Sequence, residues 1–307
     1  MITAYQKTIT SRRLKTVEDF KAGSWVHVEA PSAEELSMLA EKISLDAGLL
    51  NDALDPYEVP RIETSQGSTY FFTRVPYEEL GKILTTPILL ILTPEHVVSV
   101  SKIPLPFFQT FIEGRKEFHT TQKLRFLLQI LAEIDAVFAR YITTINKEVR
   151  RLSANLSSSI SDEDIIAFVN FESVLSDLMD ALVPTNAALQ KILSGKFLTL
   201  YEADRDFVED VYLANGQLIE LCRSNLRSIV NIRNAYSTIM GNTLNRVIKL
   251  LSALTIVFTI PTIVFNIYGM NIPLPFQDSP HAFWIVVSMT AAATALAVWA
   301  FMRKSLF

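Results

Sequence analysis

SALTIVFTIPTIVFNIYGMN, residues 252–271, decides how this chain is built. From Leu250 to Ile267 eighteen residues pass without a charge, about the minimum for a helix to cross a bilayer. A second run of twenty-one uncharged residues, Ala282–Met302, follows the short loop of residues 272–281. The two runs read as a helical hairpin in a membrane. The polar residues of the first run are Ser252, Thr255, Thr259, Thr262 and Asn266, spaced by 3, 4, 3 and 4. That spacing puts them on one stripe of a helix.

A hydroxyl or amide facing hydrocarbon costs free energy unless it finds a partner, so the stripe faces protein or water. Small polar residues can glue membrane helices together, or they can line a wet pore. The pattern upstream favours the pore. In steps of seven back from Asn266 stand Thr259, Ser252, Asn245, Thr238, Asn231 and Ser224; the companion positions are Gly269, Thr262, Thr255, Ile248, Gly241, Asn234 and Arg227. This is a coiled-coil seam with inverted polarity. Apolar residues there would close the helices on one another, whereas small polar ones border a hydrated axis, with Ile248 as the apolar exception and a candidate constriction.

Of 307 residues, 50% are hydrophobic, with 28 basic and 32 acidic side chains and a mean hydropathy of +0.27. After Leu244 the only charges are Arg246, Lys249, Asp278, Arg303 and Lys304, leaving 24 basic and 31 acidic groups in residues 1–244, a net charge of −7. A soluble part this acidic argues against a nucleic-acid partner. MITAYQKTITSRR at the N-terminus has no apolar core of the kind a cleavable signal needs. The basic pairs Arg246/Lys249 and Arg303/Lys304 flank the hairpin on its outer ends, while its loop has neither Lys nor Arg. By the positive-inside rule both termini are cytoplasmic, in a protein crossing the cell membrane twice. The single Cys222 excludes an intramolecular disulfide and any multi-cysteine zinc site; it reads as a packing residue.

Residues 1–119 read as a cytoplasmic α/β domain. Ser24–Glu29 alternates like a strand, and Ser32 with Glu35 three residues on forms a capping box that opens a helix. Thr69–Val75, Ile83–Leu92 and His96–Val100 are further strands, and the Phe107, Phe108, Phe111 cluster packs a helix onto their sheet. Residues 120–196 read as cytoplasmic helices, broken at Ser157–Ser161, restarted by Ser161 with Asp164, and stopped at Ser194-Gly195. The last cytoplasmic helix starts near Phe197 and runs to Asn271 with Pro261 as its only proline. At about seventy residues it spans on the order of 100 Å, so stalk and pore lining are one helix. Pro261 frees one carbonyl, which neighbouring hydroxyls can re-satisfy. Residues 282–302 form the second membrane helix and 303–307 a cytoplasmic tail. The four histidines (27, 96, 119 and 281) show no ligand spacing, and the chain has neither a catalytic constellation nor a phosphate-binding glycine loop.

Tyr268-Gly-Met-Asn271 closes the first membrane helix. Alone such a triplet is weak, and Asn271 also suits a plain helix cap. In this setting, after a polar-striped membrane helix and one hairpin from the end, it resembles the signature of the CorA family of divalent-cation channels and transporters. Trp25-Val-His-Val-Glu-Ala-Pro31 with Glu34-Glu35, and Asp210-Val-Tyr212, resemble further family motifs. The resemblance implies an α+β cytoplasmic domain with a long helical stalk and a two-helix membrane hairpin, assembled as a homopentameric funnel. It implies Mg²⁺ as cargo, received at an outer filter of Gly269, Met270 and Asn271, with Asn245, Ile248, Ser252, Thr255, Thr259, Thr262 and Asn266 lining the pore. Mg²⁺ dehydrates reluctantly, so neutral acceptor rings suit its water shell. It also implies passive, potential-driven influx, and gating by Mg²⁺ bound between subunits, with Asp210 on the stalk and Glu78 or Glu79 opposite. A basic collar at the inner mouth falls to Lys249, Arg303 and Lys304. The loop IPLPFQDSPH carries only Asp278, less acid than many relatives have. Co²⁺, Ni²⁺ or Zn²⁺, with or without protons, fit the same architecture, because a hydrated ion hides its ligand preference. A membrane-anchored coiled-coil scaffold is the reading of a different class.

Overall fold

The structure, a computed structural model, describes all residues except 12, 155–161, 199, 277 and 304–307. The Ser157–Ser161 break, the Ser161 cap and Lys304 lie outside the described residues. The chain divides into two units, Met1–Val230 and Asn231–Phe307.

The first unit is built on seven strands: β1 Ile2–Gln6, β2 Lys15–Val17, β3 Trp25–Glu29, β4 Arg61–Ser65, β5 Ser68–Glu79, β6 Lys82–Leu92 and β7 Val97–Ser101. They form one sheet in the order β2-β1-β3-β7-β6-β5-β4, antiparallel except where β3 pairs with β7. The sequence WVHVE of β3 explains how both faces are covered, because side chains alternate along a strand. Val26 and Val28 join Leu36, Leu39, Leu50, Tyr70 and Phe72 in a core closed by α1 (Ala33–Lys42) and α2 (Ala47–Asp52). Trp25 and His27 belong to the other face, where Trp25 lies 5.5 Å from Phe108 and 5.3 Å from Phe126 and His27 lies 4.5 Å from Phe108, ring centre to ring centre. Trp25 Nε1–H donates to Ser99 Oγ at 2.9 Å, and His27 Nδ1 meets the same oxygen at 2.9 Å. The other ring nitrogen, His27 Nε2, lies 3.1 Å from Glu29 Oε1. This contact is chiefly what lowers the Glu29 pKa.

The capping box forms as its sequence dictates: Glu35 N–H donates to Ser32 Oγ and Ser32 N–H to Glu35 Oε2, at 3.2 and 2.9 Å. The expected phenylalanine packing is found in a 3₁₀ turn (Pro106–Phe108) and the short α3 (Gln109–Ile112), with Phe111 set against Phe118 and Phe126. The helices α4 (Lys123–Ala154) and α5 (Asp162–Leu193) cover the sheet's second face. Cys222 is fully buried, and burial pushes its thiol up to about 12.

Two boundaries need correction. The helical part begins at Lys123 and not at residue 120, because Thr120 is buried and bonded to the end of β1: its N–H donates to Lys7 O, and Lys7 N–H donates to its hydroxyl. The long helix α6 spans Glu202–Tyr268 and does not start near Phe197, whose carbonyl instead accepts from the Thr69 hydroxyl.

The second unit holds the rest of α6 and α7 (Ala282–Arg303). Of the most apolar 18-residue windows of these helices only 6% and 11% is buried. A core helix of a soluble protein would be mostly covered, so these apolar surfaces call for lipid or further protein. Phe283 and Trp284 at one end of α7 and Trp299 at the other are exposed, the placement that interfacial aromatic belts use. The Arg303 guanidinium lies 5.3 Å from the Trp299 ring centre.

Candidate functional site

Every residue of the polar stripe, Asn245, Ser252, Thr255, Thr259, Thr262 and Asn266, is exposed within the second unit, as is the apolar exception Ile248. The three threonines share one arrangement. Thr255 Oγ1–H donates to Leu251 O at 2.8 Å, Thr259 to Thr255 O at 2.7 Å and Thr262 to Phe258 O at 2.8 Å. Each hydroxyl therefore spends its only proton on its own helix and turns outward as an acceptor. A column of such oxygens, continued on the helix by the exposed amide of Asn266, carries partial negative charge without any carboxylate. It suits a cation that keeps its water, since the water protons need acceptors.

The opposite side of α6 packs on α7. Ala253 is buried, Pro261 and Phe265 border an apolar groove of about 750 Å³ with Thr290, Thr294 and Val298, and Phe265 and Tyr268 border another with Phe283 and Val286. At 100° per residue these positions centre roughly opposite the stripe. Thr290 and Thr294 on α7 are likewise bonded to the carbonyls four residues back, but they turn toward this groove. Helix α6 continues through Pro261. The Thr262 hydroxyl goes to Phe258 O and not to the carbonyl of Val257, which is the one that proline leaves without its helical donor.

At the end of α6, Gly269 N–H donates to Phe265 O and Met270 N–H to Ile267 O, so the last turn closes on itself. A Cβ on Gly269 would sit 3.4 Å from Phe265 O and 3.5 Å from Asn266 O, ordinary contacts. The chain's own conformation therefore does not demand glycine here. Met270 and Asn271 are exposed. The Tyr268 hydroxyl donates to Pro275 O at 3.2 Å and pins the loop beside them.

In the first unit Asp210 is exposed on α6, while Val211 beside it is buried and Tyr212 O accepts from Asn186 Nδ2 of α5 at 2.9 Å. Glu78 and Glu79 are exposed at the tip of the β5–β6 hairpin, whose two-residue turn Leu80-Gly81 has φ of 50° and 76°, the type I′ geometry that favours glycine. Among the described residues no three His, Cys, Asp or Glu side chains converge as metal ligands. One chain alone thus does not assemble Asp210, Glu78 and Glu79 into a site. Lys249 and Arg303 are exposed in the second unit.

The family model of the CorA-like Mg²⁺ transporter protein matches residues 20–304, nearly the whole chain. The chain belongs to the CorA family. CorA proteins are membrane ion transporters and not enzymes, so this chain is a divalent-cation transporter. It is 24% identical over 298 residues to the cobalt/magnesium transport protein CorA of Methanocaldococcus jannaschii, covering 94% of this chain and 92% of that one. It is also 24% identical over 165 residues, about half of each chain, to the magnesium transport protein CorA of Helicobacter pylori. In fold it matches the complete structure of the M. jannaschii CorA magnesium transporter with a TM-score of 0.88 at 20% identity, over 100% of this chain and 99% of that one. Full-length CmaX matches with a TM-score of 0.72 at 17% identity, over 98% and 96% of the two chains.

Sequence reasoning found the stripe from its spacing alone. It missed that the threonine protons are committed internally, although a threonine four residues after any helical carbonyl signals that bond. It also missed the buried pair Asp135 and Asn215, joined by a 3.0 Å hydrogen bond from Asn215 Nδ2 to Asp135 Oδ1.

Proposed function

We propose that this chain assembles as a homopentamer whose α6 stripes surround a hydrated pore, and that it conducts Mg²⁺ passively into the cytoplasm. The observation that carries this reading is the exposed column of acceptor oxygens at Thr255, Thr259 and Thr262, on the side of α6 away from α7. A helix that presents acceptors on one side and packs on the other is suited to stand between a wet axis and an outer ring of α7 helices. Gly269, Met270 and Asn271 form the outer entrance, where five asparagine amides receive the water shell of the ion. Because Gly269 is not required by its own chain, its missing side chain leaves room for the ion or a neighbouring copy. Both termini lie in the cytoplasm, with Lys249 and Arg303 at the inner mouth, and the membrane potential drives entry with about 4.6 kcal/mol per divalent ion at 100 mV.

Cytoplasmic Mg²⁺ gates the channel by bridging Asp210 of one subunit to Glu78 or Glu79 of the next. Exposed carboxylates with no counter-cation repel across such an interface until a divalent ion neutralises them. The relative named for cobalt as well as magnesium supports Co²⁺ as a competing cargo.

The test is Mg²⁺ uptake into proteoliposomes under an imposed inside-negative potential. Asn271→Ala should lower uptake at least tenfold, and uptake no faster than in empty vesicles for both proteins would sink the channel reading. In the same assay Asp210→Ala should weaken inhibition by Mg²⁺ on the cytoplasmic side; undiminished inhibition removes Asp210 from the sensor. Added Co²⁺ should compete with Mg²⁺, and uptake indifferent to it would exclude it as cargo.

A further inference from the structure

Asp135 on α4 and Asn215 on α6 meet inside the first unit. Asn215 Nδ2–H donates to Asp135 Oδ1 at 3.0 Å. The other two tips, Asp135 Oδ2 and Asn215 Oδ1, are both buried and have no hydrogen-bond partner. Asp135 is 8% exposed and Asn215 fully buried. Their neighbours one turn away on the same helices, Leu131, Phe138, Val211 and Leu218, are buried apolar residues.

An ionised Asp135 offers only acceptors, and Asn215 Oδ1 is also an acceptor, so the two free tips cannot satisfy each other. Each unpaired buried acceptor costs free energy. One proton on Asp135 Oδ2 removes both deficits at once, because the new O–H donates to Asn215 Oδ1 while the existing N–H bond remains. The two planar forks then close a ring of two hydrogen bonds. A divalent ion is a poor substitute: Mg²⁺ wants six oxygens, and among the described residues Asp135 belongs to no group of three or more His, Cys, Asp or Glu side chains that could hold it.

We propose that Asp135 and Asn215 form a proton-binding site in the interior of the first unit, which takes up one proton as the surrounding pH falls and thereby tightens the packing of α6 on α4. The electrostatics agree with this geometry. Burial raises the Asp135 pKa from 3.8 to about 7, and the Asn215 amide is the only group that opposes the rise. No charged side chain of α4, α5, α6 or the sheet acts on it among the described residues. The sign follows from linkage: between those two values the folded chain holds a proton that the unfolded chain does not. The contribution to stability is therefore complete at low pH, falls as pH rises from about 4 through about 7, and is gone above that. The stretch of α6 involved also carries Tyr212, held by Asn186 of α5 one turn away, so the proton acts where α6 is clasped by two helices. This holds whether or not the chain conducts Mg²⁺.

Asp135→Asn tests it, because an amide at 135 can complete the same ring without a proton. In full-length protein in detergent, infrared difference spectra across a pH titration should show a protonated-carboxyl C=O band that titrates near pH 7 and is missing from the variant. Chemical unfolding should show the wild type matching the variant near pH 4 and falling progressively further below it as the pH rises to 8. A band absent from the wild type above pH 5 would overturn the proposal. So would a variant that is less stable than wild type at every pH, which would mean that the pair holds water or a cation and not a proton.

Discussion

The two units treat the same chemical groups in opposite ways. In the first, polar side chains are sealed in and meet partners far along the chain: Thr73 meets Thr185, Ser99 serves Trp25 and His27, and Asn215 meets Asp135 through one bond that leaves one tip of each unpaired. In the second, the hydroxyls of Thr255, Thr259 and Thr262 are satisfied within one turn of their own helix and remain exposed. The first pattern is that of a chain that completes its own interior. The second belongs to a surface finished by something else, whether lipid, water or another copy, since the apolar helices that carry it are almost uncovered. Removing a polar group should thus damage folding in the first unit and transport in the second.

The largest effect that would sharpen this contrast is at Ser99. Ser99→Ala leaves the Trp25 indole N–H and His27 Nδ1 without their shared partner in a buried site, at a cost of about 1–3 kcal/mol for each group. Denaturant unfolding of the purified protein should show it as a lowered midpoint. An unchanged midpoint would break the claim that this interior is sealed.

A smaller effect is expected from a pair of changes in the second unit. Thr259→Val and Thr290→Val each delete a hydroxyl bonded to its own helix, so both should leave stability within about 1 kcal/mol of wild type. Only the first removes an acceptor from the stripe. Uptake of Mg²⁺ should fall several-fold in Thr259→Val and stay at the wild-type level in Thr290→Val. Equal uptake in the two variants would mean that the stripe is helix glue.

Much of this was legible in residues 252–271, because a membrane helix has few polar residues and their spacing reports one face directly. The capping box at Ser32 and Glu35 and the strands around Trp25, Tyr70 and Leu90 were legible for a similar reason, each being a local pattern with a local cause. The short strands β1, β2 and β4 were not. They lie toward the sheet's two edges, β1 and β4 each bury one residue and β2 buries none, so their alternation is too faint to stand out from loop. The start of α6 was no more legible, because no cap residue distinguishes Phe197 from Glu202. The Asp135–Asn215 pair left a signal that went unread: both residues fall in the buried phase of their helices, with Leu131 and Phe138 on one and Val211 and Leu218 on the other. A carboxylate in an apolar phase announces a partner, but its identity emerges only when two residues 80 positions apart meet.

The smallest effect on the chain itself is expected at Gly269, and it separates the two kinds of site most cleanly. Its φ is not left-handed and an added methyl group meets only ordinary contacts, so Gly269→Ala should leave the unfolding midpoint unchanged or raise it by less than about 1 kcal/mol, through the smaller backbone entropy of alanine in the unfolded state. If the glycine matters, the reason lies outside the chain, where a neighbouring copy or a hydrated ion approaches closer than a side chain permits. Uptake should then fall while stability holds. A variant that keeps full uptake would reduce Gly269 to the turn that ends α6, and would leave Asn271 to form the outer entrance without it.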